Sequence, residues 1–312
     1  MTITRVFEDE HIQAFYLPGR GDRFIISFAQ MNYPLDGLSF WGSRPAQNLG
    51  YSALGFVGAT PNWYPVSSVQ AARVHLSELL AKYDTRLTIG SSMGGYAALK
   101  FGALFNAQAS VAFAPQFTIN RNDIPDSENR FRQYYDEEMH RDMKVTGDDV
   151  SVAPFILSDP RDLVDRRHVE RIKAAAPAVR EVPVVNVGHE AVRPFASTTL
   201  FRALVEAASA ADHDALVRLA REVRKLPGGR STGMIDHLAS KRPRWALAIL
   251  AKEVEALQPR DAQRFGFILG KRFAADGETA LALEAIELGL RRIPNDPLLI
   301  KLASEVRSQA NQ

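Results

Sequence analysis

Along the first two thirds of the chain, short apolar runs alternate with stretches whose apolar residues recur at helical spacing. His11–Leu17 (HIQAFYL) and Phe24–Phe28 (FIISF) are rich in strand formers, and the turn PGRGD between them predicts a hairpin. Tyr51–Val57 (YSALGFV) predicts a third strand, closed by TPNWYP. From Val66 to Tyr83 the apolar positions Val69, Ala72, Leu76, Leu79 and Leu80 predict one helix. There follow a strand at Arg86–Ile89, a helix at Gly95–Phe105 and strands at Ala109–Phe113 and Val152–Leu157. A helix at Arg166–Ala176 and a strand at Val182–Val187 complete the series. Apolar strands that alternate with helices predict an α/β fold, with a mostly parallel sheet covered by helices.

The pattern breaks twice. Between Gln116 and Asp149 the chain is polar and aromatic, with no long apolar face. A connection of that length is read as a lid or binding insertion, or else a mobile loop. After about residue 205 the strands stop. HDALVRLAREVRKLPGG predicts an amphipathic helix with a glycine stop, and PRWALAILAKEVEALQPRD, AQRFGFILGKRFAADG and ETALALEAIELGLRRIPND are all helical. Pro259 and Pro294 lie 35 residues apart, each with an aspartate two residues on, Asp261 and Asp296. With the small residues Ala280, Ala282 and Ala285, that spacing resembles a tetratricopeptide repeat, whose unit is about 34 residues. A plain helical bundle is the alternative. The division expected is residues 1–205, with an insertion at 116–149, followed by an all-α domain at 206–312.

Composition narrows the classes. A chain of 312 residues with 46% apolar and 24% charged residues has an ordinary globular mix. Its net charge of +2 gives no bulk attraction for nucleic acid or an anionic membrane. The absence of cysteine excludes disulfides, thiolate catalysis and cysteine-based zinc sites. The charged N-terminus does not read as a secretory signal, and no apolar run predicts a membrane span. A cytoplasmic location is the expectation. DRRHVERIK and LAREVRKLPGGR interleave both signs of charge and read as solvated helix faces. Glu190, Asp212 and His213 lack metal-ligand spacing with a third partner, and GSSMGG lacks the lysine of a phosphate loop. No metal or cofactor is expected.

The stretch that carries chemistry is TRLTIGSSMGGYAALK. A serine at a sharp strand-to-helix turn occupies a strained backbone conformation, so the residues two before and two after it must be small. Counted from Ser92 these are Gly90 and Gly94; counted from Ser91 they are Ile89 and Met93. The frame therefore selects Ser92, which also faces the positive end of the following helix. A serine hydroxyl needs a base, and the base needs an orienting carboxylate. His189 follows the strand-like EVPVVNVG and is the base expected; the other histidines precede the serine or lie in the insertion or in helices. After APFIL the chain reads SDPRDLVD. Asp162 is the first candidate for the acid and Asp159 the second, whereas Asp165 fits the N-cap of the next helix. The oxyanion donors expected are the N–H of Met93 and that of Ala29 or Gln30, in the loop after FIISF. Trp63 and Tyr64 are candidates to line an acyl or sugar pocket, or else core aromatics in a turn.

Strand–GSSMGG–helix, then an acid, then Gly-His, in the order Ser, Asp, His, resembles the α/β-hydrolase superfamily over about residues 10–205. More narrowly, GSSMGGYAAL, NWYP and SDPRDLVDRRHVERI resemble serine-hydrolase-like proteins associated with bacterial surface polysaccharides and sometimes joined to helical repeats. The superfamily's usual His-Gly before the oxyanion loop is Ser27-Phe28 here, which leaves the second donor open between Ala29 and Gln30. The resemblance implies a serine esterase, thioesterase or acyltransferase that needs no cofactor and acts on a small-molecule or saccharide acyl ester. The alternative is a catalytically decayed hydrolase fold that serves as a scaffold, with the helical region recruiting a protein partner.

Overall fold

In a computed structural model, which describes residues 2–21, 23–35, 37–225 and 231–310, the chain divides into two compact units. The first comprises Met1–Val184 and His189–Arg221, the second Val185–Gly188 and Glu222–Gln312.

The first unit is built on one eight-stranded sheet of order β1-β2-β4-β3-β5-β6-β7-β8. The strands are β1 (Thr4–Glu8), β2 (Ile12–Leu17), β3 (Arg23–Phe28), β4 (Ser52–Gly58), β5 (Thr85–Ser91), β6 (Ala109–Phe113), β7 (Ala153–Ser158) and β8 (Arg180–Pro183). β1 and β2 run antiparallel to their neighbours, and every pairing from β4 to β8 is parallel. The central strands β5, β6 and β7 are buried along nearly their whole length, as strands of a parallel sheet covered by helices are. The helices of this unit are α1 (Ser43–Leu49), α2 (Val66–His75), α3 (Ser77–Leu80), α4 (Met93–Lys100), α5 (Leu163–Ala175), α6 (Thr198–Ser209) and α7 (His213–Val223).

Three local expectations are corrected. β2 does not form a hairpin with β3. It pairs with β1 and β4, and β3 lies beyond β4, so PGRGD opens a crossover; its Asp22 lies outside the described residues. Local propensity marks a strand but does not choose its neighbour. The single helix expected at Val66–Tyr83 is two, with the break at Leu76 (φ −92°, ψ 12°). The last strand ends at Pro183 rather than Val187. The first unit also runs past residue 205. α6 turns Phe201, Leu204, Val205 and Ala208 inward and packs on α1 and β6, and in α7 the Nε2 of His213 meets the Glu181 carbonyl at 2.9 Å. Amphipathic helices there cover the sheet, which the strand count alone did not anticipate.

The insertion is packed. Between β6 and β7 the chain forms two short 3₁₀ turns, and Phe117, Ile119, Ile124, Phe131, Met143 and Val145 join the main hydrophobic core of this unit.

The second unit is helical: α8 (Ser231–Ala239), α9 (Pro243–Glu253), α10 (Pro259–Ala275), α11 (Thr279–Arg292) and α12 (Pro297–Ala310). Prolines open α9, α10 and α12, where a missing N–H costs nothing. α10 and α11 approach closely because Gly266 faces Gly289 and the Ala285 carbonyl with no side chain between. The glycine stop expected at Gly228 and Gly229 lies outside the described residues. Among the described residues no helix is long and apolar enough to cross a membrane.

Candidate active site

β5 delivers the chain to the sheet's carboxyl edge and α4 carries it away, so the backbone reverses within one residue. That residue is Ser92, at φ 55° and ψ −118°. A non-glycine residue held there stores strain, which neighbours must enforce. They do so by close approach: a Cβ on Gly90 would collide with the Gly94 carbonyl, and one on Gly94 with the carbonyl of Phe28. Ser92 N–H donates to the Phe113 carbonyl at 2.8 Å, which ties the corner to β6. Ser91 ends β5 inside the ladder, opposite Phe113.

β8 ends at Pro183, and the following loop turns through Gly188 in the left-handed region (φ 57°) to present His189. His189 Nε2 lies 2.9 Å from Ser92 Oγ, across 97 residues of sequence. Its Nδ1 lies 2.8 Å from Oδ2 of Asp165. A carboxylate accepts only, so Nδ1 carries the hydrogen and Nε2 is left to accept from the serine hydroxyl. The imidazole is one fifth exposed and Asp165 is 1% exposed, so one end of the chain of hydrogen bonds is open and the other is sealed.

The carboxylate that meets His189 is thus neither of the two expected. Asp162 is the N-cap of α5: its Oδ1 accepts from the N–H groups of Val164 and Asp165, both at 3.1 Å. Asp159 sits earlier in the turn, where Oδ1 accepts from Arg161 N–H at 3.0 Å. With the helix begun at Leu163, Asp165 falls on its first turn and its side chain points away from the cap toward the histidine loop. Sequence rules allow an N-cap at either aspartate of DLVD, and the three-residue offset decided the assignment.

The insertion reaches this acid. Arg130 Nη2 lies 2.9 Å and 3.1 Å from the two Asp162 oxygens, and its Nη1 lies 3.5 Å from Asp165 Oδ1. Phe131 stands 5.8 Å from the His189 ring and 5.1 Å from Trp63. Arg130 and Phe131 went unmarked in the sequence, where nothing separates them from other cationic and aromatic residues of the insertion. Trp63 and Tyr64 prove to be core residues, 1% and 0% exposed. Trp63 Nε1–H donates to Gln116 Oε1 at 3.0 Å, and Tyr64 lies beneath the loop after β3. Burial fills both rings' surfaces with protein, so neither lines an open pocket.

Two N–H groups belong to the segments that meet at the serine corner, α4 and the loop after β3, whose Phe28 and Ala29 carbonyls lie against Gly94. Met93 N–H opens α4, where the first turn leaves it without an intrahelical acceptor. In the loop after β3 the N–H of Ala29 is used in the sheet, donating to the Phe56 carbonyl at 2.9 Å. Of the two residues left open by the sequence, only Gln30 therefore keeps an N–H without a backbone acceptor among the described residues. Among the described residues no group of three or more His, Cys, Asp or Glu is placed to hold a metal ion.

One turn further along α5, His168 anchors the insertion. It is 2% exposed, and its Nδ1 accepts from Phe117 N–H at 3.1 Å. Burial, reinforced by the charges of Arg171 and Arg130, pushes its pKa down to about 4. The folded chain thus holds the imidazole neutral, while the unfolded chain binds a proton below its ordinary value of 6.5. The contribution of His168 is intact above pH 6.5 and is lost as pH falls from there toward 4, up to about 3 kcal/mol in all. The urea midpoint of the wild type is expected to fall across that window, and His168→Gln to flatten the fall; an unchanged slope in the variant contradicts it.

The sheet order, the strand–serine–helix corner and the sequence order Ser, Asp, His together define an α/β-hydrolase fold, followed by a helical region. No protein-family model matches the chain, and no curated protein matches it. Among solved structures it is similar to the capsule O-acetyltransferase of Neisseria meningitidis serogroup A, at 14% identity and TM-score 0.48, covering 64% of this chain and 93% of that one. It is also similar to the Pyrococcus furiosus esterase Pf2001, at 15% identity and TM-score 0.42, covering 66% of this chain and 88% of that one. A third is Est1E from Butyrivibrio proteoclasticus, at 12% identity and TM-score 0.40, covering 71% and 98%. Likeness at this level assigns no chemistry to any residue here.

Proposed function

We propose that the first unit is a serine hydrolase that cleaves an ester or thioester through an acyl-enzyme on Ser92. The observation that carries this reading is the continuous chain Ser92 Oγ, His189, Asp165, at 2.9 Å and 2.8 Å. Ser92 attacks the carbonyl carbon while His189 Nε2 takes its proton, and Asp165 holds the ring and the positive charge that forms on it. The N–H groups of Met93 and Gln30 bind the oxyanion. The tetrahedral adduct collapses as His189 returns the proton to the leaving alcohol or thiol. Water, activated by the same imidazole, then releases the acid. An alcohol in place of water makes the same apparatus an acyltransferase.

Every group this sequence of steps needs belongs to the chain, so the reading requires no cofactor. A small-molecule or saccharide acyl ester is the substrate class, its saccharide part resting on the sequence resemblance alone. The complete relay argues against a decayed site. In the direct test, a fluorophosphonate probe labels the wild type, and neither Ser92→Ala nor heat-denatured protein is labelled. Equal labelling of wild type and Ser92→Ala removes the proposal.

A further inference from the structure

Resting on the serine-hydrolase reading, we infer that Tyr64 is a positioning residue: its buried hydroxyl aims the Gln30 N–H at the oxyanion by holding the carbonyl of the same peptide unit. Tyr64 OH donates to the Ala29 carbonyl at 2.7 Å, with the Phe56 carbonyl second at 3.1 Å. A trans peptide is planar, and its C=O and N–H point in opposite directions. Fixing the oxygen of Ala29 therefore fixes the hydrogen of Gln30. The preceding peptide is already fixed, because Ala29 N–H is bonded to Phe56. The peptide is also pressed against the serine corner: a Cβ on Gly94 would lie 2.9 Å from the Ala29 oxygen. The peptide that carries the Gln30 N–H is thus held through its oxygen by two contacts, the close approach of Gly94 and the Tyr64 phenol.

The backbone shows what this placement costs. Trp63 and Tyr64 are consecutive non-glycine residues at φ 47° and 54°, a conformation bulky side chains avoid unless the surroundings impose it. Here four hydrogen bonds impose it. Asn62 Oδ1 accepts from Tyr64 N–H at 3.1 Å, and Asn62 Nδ2 donates to the His11 carbonyl at 2.6 Å. His140 Nε2 meets the Asn62 carbonyl at 2.9 Å, and Trp63 Nε1–H donates to Gln116. His140 and Gln116 both belong to the insertion, so the segment that touches Asp165 through Arg130 also braces the strained turn. Burial raises the phenol's pKa above its ordinary value, and the hydroxyl keeps its proton to donate. A core tyrosine with no role in the oxyanion needs neither the left-handed turn nor a bond to this carbonyl.

The test uses the full chain and Tyr64→Phe, which keeps the ring. Three readouts are compared with wild type: p-nitrophenyl acetate turnover, the rate of fluorophosphonate labelling, and inhibition by an aryl trifluoromethyl ketone, whose serine adduct is an oxyanion. Loss of one oxyanion donor costs about 10²–10³ in rate, and a donor left in place but free to turn costs less. We expect kcat and the labelling rate to fall about 10–100-fold, with KM within about twofold. The inhibition constant should rise by the same factor as kcat falls. Asn62→Ala, which frees the turn without touching the phenol, should show the same kcat-against-KM split. A merely structural tyrosine would lower Tm and leave kcat, the labelling rate and ketone affinity within twofold of wild type, and that result overturns the inference. If wild type itself neither turns over nor labels, the serine-hydrolase reading fails first and takes the inference with it.

Discussion

Replacing Ser92 by alanine is expected to lower ester turnover by about 10⁵–10⁶-fold, the loss seen when the nucleophile of such a relay is removed. The fold should survive it. Alanine at φ 55° is no worse placed than serine, and the corner is held by Gly90, Gly94 and the bond from the residue 92 N–H to Phe113, none of which involves the hydroxyl. Ser91→Ala is the internal control. Ser91 ends β5 opposite Phe113 and is 6% exposed, so its loss should change turnover by no more than a few-fold. The two variants are compared by kcat/KM on p-nitrophenyl acetate, with circular dichroism to confirm folding. Comparable losses in both would contradict the selection of Ser92 by the glycine frame.

Asp165→Asn is expected to lower kcat by about 10⁴-fold, while Asp162→Asn stays within about fivefold of wild type. The asparagine at 165 fits the same space, but its amide can offer a hydrogen to Nδ1. The imidazole then carries its proton on Nε2, the atom that must accept from Ser92, and the imidazolium loses its counter-charge. At 162 the side chain caps α5, and asparagine caps a helix about as well as aspartate. Its bond to Arg130 is weakened, yet the Asp165–His189 contact at 2.8 Å does not pass through it. Measured kcat values for the two variants decide the assignment. A large loss at 162 with a small one at 165 would reverse it.

Much of the first unit was legible because its signals are local. Strand runs such as Ala109–Phe113 coincide with β6, since a short run of mostly apolar, small and aromatic residues fits a strand buried on both faces. The elbow was legible for a stricter reason: only one of two adjacent serines has a glycine both two positions before and two positions after it, and the close approaches at Gly90 and Gly94 require them. The neighbours of β2 were not legible. A strand's sequence records which face is buried, and β2 borders β4 rather than β3 through contacts that propensity does not encode. The insertion reads as polar and aromatic with no long apolar face, yet its scattered apolar and aromatic residues such as Phe117, Ile124 and Phe131 sit in the core. They follow neither strand nor helix period, so no periodic pattern announced them.

By itself the sequence determined the serine, the histidine that reaches it and their order along an alternating α/β chain, because backbone geometry at a tight turn constrains residue size. Tertiary structure alone decided which aspartate meets the imidazole and which amide is left to donate. Asp162 and Asp165 obey the same capping rule, and only the position of α5 against the histidine loop separates them. Ala29 and Gln30 are likewise equivalent until the sheet takes one N–H and leaves the other. Both choices depend on where separate segments come to rest, which is a property of packing and not of any local stretch of residues.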